Sequence, residues 1–472
     1  MTNHLEPLME PYFTAEGVTL HLGDCRDVLA TLPDASVDAV VTDPPYELGF
    51  MGKAWDSTGI AYNADVWRQC WRVLKPGGHL LAFGAARTYH RMTVAIEDAG
   101  FEIRDSLHWI YGSGFPKGQD IAKSIDKRRD DREQVLQVTA WLAAARDAAG
   151  WTNREIDALW GYSGMAGLWT TQGKAAIVPQ PEQWDRLRNE LGFDDTQILP
   201  IVAELNGRKG TTAEAWGLRE VIGTRNAPER KSDHLYGNFS GDDRVTAPAS
   251  EAARQWQGWN TALKPAHEPI VMARKSTGYD STVANVLRHG TGALNIDACR
   301  TEAGQDYRDK CASVVGIGSP RNGATLGEWT GVREDSAHAA GRWPTNILLG
   351  HGAGCEAACS PGCPVTELGK EARFFPAFRY EAKAPASERP RLEDGTAHTT
   401  VKPLALMQWL ARLVTPPGGT VLDPFAGSGT TLAAALREDM HAIGVEQHEP
   451  YARLCVQRLS EPCSVSLFSD IA

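Results

Sequence analysis

Between residues 18 and 110, short apolar runs rich in β-branched residues alternate with segments whose apolar positions recur every three or four residues. That alternation predicts an α/β fold, doubly wound around a mostly parallel sheet. Val18–Leu22 and Val37–Thr42 read as strands, with residues 26–32 as the helix between them. The second strand must stop at Asp43-Pro44-Pro45, because proline has no N–H to continue a ladder. Residues 65–74 predict a helix closed by Lys75-Pro76-Gly77-Gly78, followed by strands over 79–83 and 106–111. The pattern returns late in the chain, with strands at 420–422 and His441–Glu446 and helices at Thr430–Arg437 and 450–459. These two stretches are expected to share one sheet.

The middle of the chain has a different texture. Residues 122–191 are charged, Ala-rich and Trp-rich at helical spacing, which predicts an inserted helical subdomain. Residues 207–400 are rich in Gly, Pro, Ser and Thr, with brief strand-like runs at 268–273 and 345–349. The expected division is therefore 1–120, 121–206, 207–397 and 398–472. Within the insert, a helix over 138–149, a turn at Gly150 and a capping box of Thr152 with Glu155 stand in helix-turn-helix order, resembling repressor-type DNA readers. Ser163 is placed to cap a second helix carrying Met165, Trp169 and Thr171. That helix is short of Arg and Lys, so a packing role stands beside a DNA-reading one.

The chain has 472 residues, 42% of them hydrophobic, enough for at least one full-sized core. Nine cysteines without a basic-then-apolar leader imply reduced thiols and a cytoplasmic setting, and no apolar run is long enough to span a membrane. The net charge of −11 excludes a protein that coats nucleic acid with positive charge, though not one with a locally basic cleft.

Two motifs carry chemistry. Val40-Val41-Thr42-Asp43-Pro44-Pro45-Tyr46 is a buried strand delivering an acid, two prolines and an aromatic to its carboxyl end, the edge where open α/β sheets bind ligands. Thr420-Val421-Leu422-Asp423-Pro424-Phe425-Ala426-Gly427-Ser428-Gly429-Thr430-Thr431 is a strand, a Gly-rich turn and a helix start. Glu446 then ends the next strand, where a carboxylate can accept from both hydroxyls of a ribose. A P-loop does not fit, since no Lys follows Gly429, and Leu432 replaces the third glycine of a dinucleotide fingerprint.

These residues resemble the amino-group DNA methyltransferases, adenine-N6 or cytosine-N4, whose hallmarks are an Asp-Pro-Pro-Tyr catalytic loop and an Asp-Pro-Phe-x-Gly-Ser-Gly-Thr cofactor loop. The catalytic motif comes first, the order of the permuted β group. The resemblance implies a Rossmann-like S-adenosylmethionine-dependent methyltransferase fold, with 1–120 as the catalytic half and 398–472 as the cofactor half. Residues 207–397 would then contribute part of the sheet and target recognition. Asp43, Pro44, Pro45 and Tyr46 would be catalytic. S-adenosyl-L-methionine would be held by Asp24, Cys25, Asp43, Lys402, Pro403, Asp423, Pro424, Phe425, Gly427, Ser428, Gly429, Thr430 and Glu446. The exocyclic amine of a base is a poor nucleophile because its lone pair is delocalised into the ring. The Asp43 carboxylate and the Pro44 carbonyl can each accept one amino hydrogen, freeing that lone pair, while Tyr46 stacks on the flipped base.

Asp at position 43 leans toward adenine, since cytosine-N4 enzymes more often carry Ser there. Cytosine-C5 chemistry needs a thiolate in a Pro-Cys pair, and the only such pair, Pro462-Cys463, has no strand leading into it. The loop over 47–56, with Phe50, Met51, Lys53 and Trp55, is placed either to close over the base or to be an exposed connection. Double-stranded DNA is the implied partner, with a homodimer and a cognate restriction endonuclease as further candidates. His351, Cys355, Cys359 and Cys363 recur at every fourth position, but they lack the paired spacing of structural zinc sites, and Pro361-Gly362 breaks any helix there. They are read as reduced side chains in a loop, and no metal is expected. A noncatalytic DNA-binding regulator and, more remotely, a nucleotide-dependent oxidoreductase are the competing readings.

Overall fold

The computed structural model describes residues 10–49, 54–112, 114, 118–127, 131–207, 221–224, 244–248, 251–279, 281–313, 341–352, 355, 358–360, 362–378, 390–398 and 400–460. The chain forms two compact units, Met1–Gly114 with Pro265–Ala472, and Phe115–Lys264.

The strands are β1 (Phe13–Ala15), β2 (Val18–Leu22), β3 (Val37–Thr42), β4 (Leu74–Phe83), β5 (Phe101–Ile110), β6 (Val221–Thr224), β7 (Arg244–Thr246), β8 (His267–Lys275), β9 (Ile347–Gly350), β10 (Ala377–Phe378), β11 (Thr420–Asp423) and β12 (His441–Glu446). In the first unit ten of them form one sheet, ordered β1-β2-β12-β11-β3-β4-β8-β5-β9-β10. β1 is antiparallel to β2, and β8 is antiparallel to both its neighbours, while every other pairing is parallel. The carboxyl ends of the parallel strands therefore share one edge, and β8 begins there. β3 and β11 are hydrogen-bonded neighbours, so the two stretches separated by more than 300 residues in sequence do lie in one sheet.

Period-two alternation assigns the two faces. Ala39, Val41, Leu81 and Phe83 pack on one side with the helices Leu404–Val414, Thr430–Arg437 and Glu449–Ser460. Val40, Leu80 and Ala82 pack on the other, with α1 (Cys25–Thr31), α2 (Ala64–Val73) and α3 (Tyr89–Asp98). Because both faces are covered, β3 is buried at all six positions, and its residues 39–41 are apolar on both faces rather than alternating. Each fully buried Leu, Val or Phe here contributes roughly 1.5–3 kcal/mol.

Two local expectations are corrected, and one helix is added. Residues 75–78, expected to be a closing turn, belong to β4: Leu74 pairs with Val37 and His79 with Ala39, and the residues between bulge from the ladder. Gly78 sits there because a Cβ would come within 2.8 Å of the Asp38 carbonyl oxygen. β5 begins at Phe101 rather than 106, since a register shift between Ile103 and Asp105 masks its alternation. α3, with Met92, Ala95 and Ile96 buried, is a helix that the sequence pattern does not announce.

The second unit is helical, with α4 (Ile121–Lys127), α5 (Arg132–Ala148), α6 (Asn153–Ala158), α7 (Met165–Thr170), α8 (Pro181–Leu191) and α9 (Leu199–Gly207), plus the antiparallel pair β6 and β7. It has its own core around Val138, Leu142, Ile156, Trp169, Trp184 and Leu187. This unit extends to Lys264 rather than ending near 206, because the returning chain rejoins its start: Asp120 bridges Asn260, and the Thr261 N–H donates to the Gln119 carbonyl. The capping box of Thr152 and Glu155 is present. Ser163, however, does not cap α7. Gly164 stands at its N-cap with φ 88°, and the buried Asp157 carboxylate accepts from the Gly164 and Ala166 N–H groups. Trp169, expected on a recognition face, is 1% exposed and fills the unit's core.

Phe50, Met51 and Lys53, the side chain of Trp55, Pro361, and the Pro462-Cys463 pair lie outside the described residues, as does much of 207–397. Among the described residues no helix is long and apolar enough to cross a membrane.

Candidate active site

β3 ends on Thr42, and the chain leaves the sheet through Asp43-Pro44-Pro45-Tyr46. Asp43 Oδ2 accepts from Lys402 Nζ at 2.5 Å, whereas Asp43 Oδ1 is buried and has no hydrogen-bond partner among the described residues. Lys402 also lies 3.5 Å from Glu268 Oε2 and over the rings of Phe83 and Tyr46, at 4.8 and 5.3 Å from their centroids. Burial alone would lower the Lys402 pKa, but the Asp43 and Glu268 carboxylates outweigh it and hold the ammonium charged. The Tyr46 hydroxyl donates to Glu268 Oε2 at 2.7 Å, and the Tyr111 hydroxyl lies 3.5 Å from Glu268 Oε1. Burial, with two carboxylates nearby, pushes the Tyr46 phenol well above its usual range, so it remains a donor.

The loop after Tyr46 is pinned from below. Asp56, 2% exposed, accepts from the backbone N–H groups of Tyr46, Glu47 and Leu48 at 2.8, 3.0 and 3.2 Å. Thr88 donates to the Tyr46 carbonyl at 2.9 Å. Glu47 has φ 56°, a left-handed conformation costing a non-glycine residue roughly 1–2 kcal/mol. Its carboxylate accepts from the Gly59 N–H at 2.7 Å, which helps hold that conformation.

The Gly-rich motif lies on the adjoining strand. Asp423 ends β11 and accepts from Thr42 Oγ1 at 2.6 Å and from the Phe425 N–H at 3.0 Å, which ties the two motifs together directly. Burial raises its pKa to about 6 against those donors. Gly427 and Gly429 have φ 52° and 79°. A Cβ on Gly427 would meet His398 Nε2 at 3.2 Å, and one on Gly429 would meet Cys455 Sγ at 2.5 Å. Pro424, Ser428 and Thr430 are buried, and Phe425 packs on Trp67 with ring centroids 6.3 Å apart. Glu446, at the end of β12, accepts from the Gly427 and His448 N–H groups, each at 2.8 Å. Burial pushes its pKa up to about 7. Each oxygen accepts one of those bonds and keeps a second lone pair. The neighbouring β2 delivers Gly23, whose N–H donates to the Glu446 carbonyl at 2.9 Å.

One sheet edge thus gathers Asp24, Asp43, Lys402, Asp423, Gly427, Gly429 and Glu446. Asp24 caps α1 and bonds Arg26, whose hydrogen bonds hold its carboxyl below the usual range. Pro403 is the N-cap of the helix Leu404–Val414, which carries Lys402 to Asp43. Cys25 does not join the group: its side chain is in the core, and burial pushes its thiol up to about 12. Glu268, Asp56, Thr88 and Tyr111 were missed in the sequence. Glu268 alone left a signal, as a charge opening the apolar run over 269–273.

The residues at this edge suit an adenosyl sulfonium ligand. The glycine turn presents bare backbone at Gly427 and Gly429, Glu446 retains acceptor capacity, and Asp43 Oδ1, unpaired among the described residues, marks where a donor is wanted. Elsewhere in this unit, His351, Cys355, Cys359 and Cys363, expected as separate thiols and an imidazole in a loop, converge: their ligand atoms all lie within 4.8 Å of one another.

The chain matches the DNA methylase family model for N6 and N4 enzymes over residues 37–143 and 229–457, a span containing both motifs, Glu268, Lys402 and Glu446. It is 49% identical over 67 residues to the Type II methyltransferase M.HindIII of Haemophilus influenzae, covering 14% of this chain and 22% of that protein. It is 45% identical over 65 residues to the Type II methyltransferase M.BglI of Bacillus subtilis, covering 14% and 19%. The matched stretches thus span about a fifth of those relatives' length. A putative DNA modification methylase from Thermus thermophilus, solved with S-adenosyl-L-methionine, aligns over 93% of this chain and 91% of its own at 17% identity, with a TM-score of only 0.34.

Proposed function

Since the chain belongs to the N6/N4 DNA methylase family, we propose that it is a DNA methyltransferase that uses S-adenosyl-L-methionine to methylate the N6 amino group of adenine in double-stranded DNA. The observation that carries this reading is Asp43: one oxygen anchored to Lys402, the other buried and, among the described residues, unpaired at the end of β3.

S-adenosyl-L-methionine, when bound, supplies a methyl group activated by a positive sulfonium. The chain's own residues do the rest. Asp43 Oδ1 accepts one amino hydrogen of the target base and the Pro44 carbonyl accepts the other, which frees the nitrogen lone pair for direct attack. Lys402, held between Asp43 and Glu268, fixes the carboxylate's orientation. Glu268 and Asp56 lock the Tyr46 side chain and backbone, so that its ring is a preset platform for a flipped base. Asp423 and Glu446 order the glycine turn, and the remaining lone pairs of Glu446 suit ribose hydroxyls. No covalent enzyme intermediate is required, and orientation with exclusion of water supplies most of the rate.

Asp rather than Ser at position 43 supports adenine as the target. The reaction requires DNA as partner, and a second copy of the chain and a cognate endonuclease remain candidate partners in this reading. The test is methyl transfer from labelled cofactor to DNA, followed by digestion to nucleosides. Label in N6-methyladenine is expected, and label in N4-methylcytosine would move the assignment to cytosine. Asp43→Asn should lower turnover by at least ~1000-fold while S-adenosylmethionine still binds, as expected for loss of a group acting on the reacting amine. Full activity in that variant would remove Asp43 from the mechanism.

A further inference from the structure

The loop after β9 holds a group of side chains that the methyl-transfer reading does not use. His351, Cys355, Cys359 and Cys363 each present one ligand atom, and all four atoms lie within 4.8 Å of one another. We infer that these residues form a tetrahedral structural zinc site of three thiolates and one imidazole, with His351 Nδ1 as its nitrogen donor.

The dimensions fit one metal ion. With Zn–S near ~2.3 Å and Zn–N near ~2.0 Å, a tetrahedron has ligand–ligand edges of roughly 3.5–3.8 Å. His351 Nδ1 is 3.3 Å from Cys359 Sγ and 3.7 Å from Cys363 Sγ. Soft sulfur with imidazole in this geometry selects zinc over the hard cations, and four protein ligands leave no open position, so the site is structural rather than catalytic. All three cysteines are free thiols.

The surroundings are those of bound thiolates. The Gly352 N–H donates to Cys363 Sγ at 3.3 Å, and the Ser360 N–H donates to Cys355 Sγ at 3.2 Å. Such donors offset the excess negative charge of three thiolates around a divalent ion. The helix break that counted against a metal in the sequence is what builds the site. Gly362 turns with φ 76°, and Cys363 then stands at the N-cap of the helix Pro364–Glu367, folded back toward His351.

The site also has a structural task. His351 directly follows β9 and donates its N–H to the Phe378 carbonyl at 2.9 Å, which fixes one ligand to the β9–β10 ladder. Pro364 lies against Gly112, where a Cβ would be 3.0 Å from its ring, and Gly112 follows Tyr111, whose hydroxyl reaches Glu268. Zinc at this point clamps the loop to the sheet edge that also carries Asp43.

The test uses the full chain, purified under reducing conditions without a metal-binding tag. Elemental analysis should give one zinc per chain. After chelation, one equivalent of cobalt(II) should produce thiolate-to-metal charge transfer and the strong visible bands of a tetrahedral site. Cys359→Ser changes an exposed side chain and should weaken zinc binding by on the order of 100-fold, while cofactor binding is retained. Cys363→Ser should do the same, and if it fails to fold, Cys359→Ser decides. Substoichiometric zinc with no tetrahedral cobalt spectrum on reconstitution would overturn the proposal, as would unchanged zinc affinity in Cys359→Ser or disulfides among the three cysteines. None of these readouts depends on methyl transfer, so the site stands or falls separately from the proposed activity.

Discussion

Gly429 shows how tightly single residues are constrained in this site. Its φ of 79° alone costs an alanine roughly 1–2 kcal/mol, and overpacking against the buried Cys455, 2.5 Å from the added Cβ, costs about 1–3 kcal/mol more. Gly429→Ala should therefore destabilise the chain by roughly 2–5 kcal/mol in denaturant titration. Gly427→Ala faces His398 at 3.2 Å and should lose cofactor affinity with a smaller loss of stability. Equal stability of wild type and Gly429→Ala would mean that the turn relaxes freely. Asp43 to Tyr46 and Asp423 to Thr431 were legible because each motif is contiguous in sequence. Glu268 and Asp56 were not, because their roles exist only through partners brought near by folding: Glu268 meets Tyr46 across 222 positions. Lys402 was anticipated at the cofactor, whereas in the fold it bonds the carboxylates of Asp43 and Glu268.

Among the elements, burial on both faces decided what could be read. β3 and β12 match their expected bounds because they are central, largely buried and ended by a proline pair and a charged turn. β5 was half-read because Glu102, Arg104 and Asp105 interrupt its apolar positions, and β8 revealed itself as a strand but not as the antiparallel one. That reversal matters chemically, since it brings the first residues of β8, rather than its last, to the active edge and so delivers Glu268 there. In the second unit, α7 has helix-turn-helix spacing but turns Trp169 inward, against Trp160 and Tyr162. Periodicity could not tell an aromatic that reads a groove from one that fills a core. Trp169→Ala should cost that unit roughly 3–5 kcal/mol, seen in calorimetry as an early transition, while S-adenosylmethionine binding by the other unit persists. An unchanged melting profile would return Trp169 to the surface and revive a contact role for α7.

Across the whole molecule, the functional edge collects acids, and burial raises two of them. Glu446 is raised from its ordinary 4.5 to about 7 and Asp423 from 3.8 to about 6, each chiefly by burial. A carboxyl whose folded pKa lies above its unfolded one binds more protons in the native state between the two values, so stability falls as pH rises through that window. The contribution of Glu446 is fully present below about 4.5 and lost as pH passes about 7, and that of Asp423 is lost as pH passes about 6. The cofactor-free chain should accordingly melt at progressively lower temperature across this range. Glu446→Gln should flatten the upper part of that slope. The substitution also sets an amide N–H₂ against one of the two backbone donors now bonded to the carboxylate, at a pH-independent cost of about 1–3 kcal/mol. Ligand binding should run the other way, because ribose hydroxyls bond best to the ionised carboxylate: S-adenosylmethionine affinity should rise as pH passes about 7 in the wild type and stay flat in Glu446→Gln. If both proteins show the same slope in melting and in affinity, Glu446 is not the titrating group at this edge.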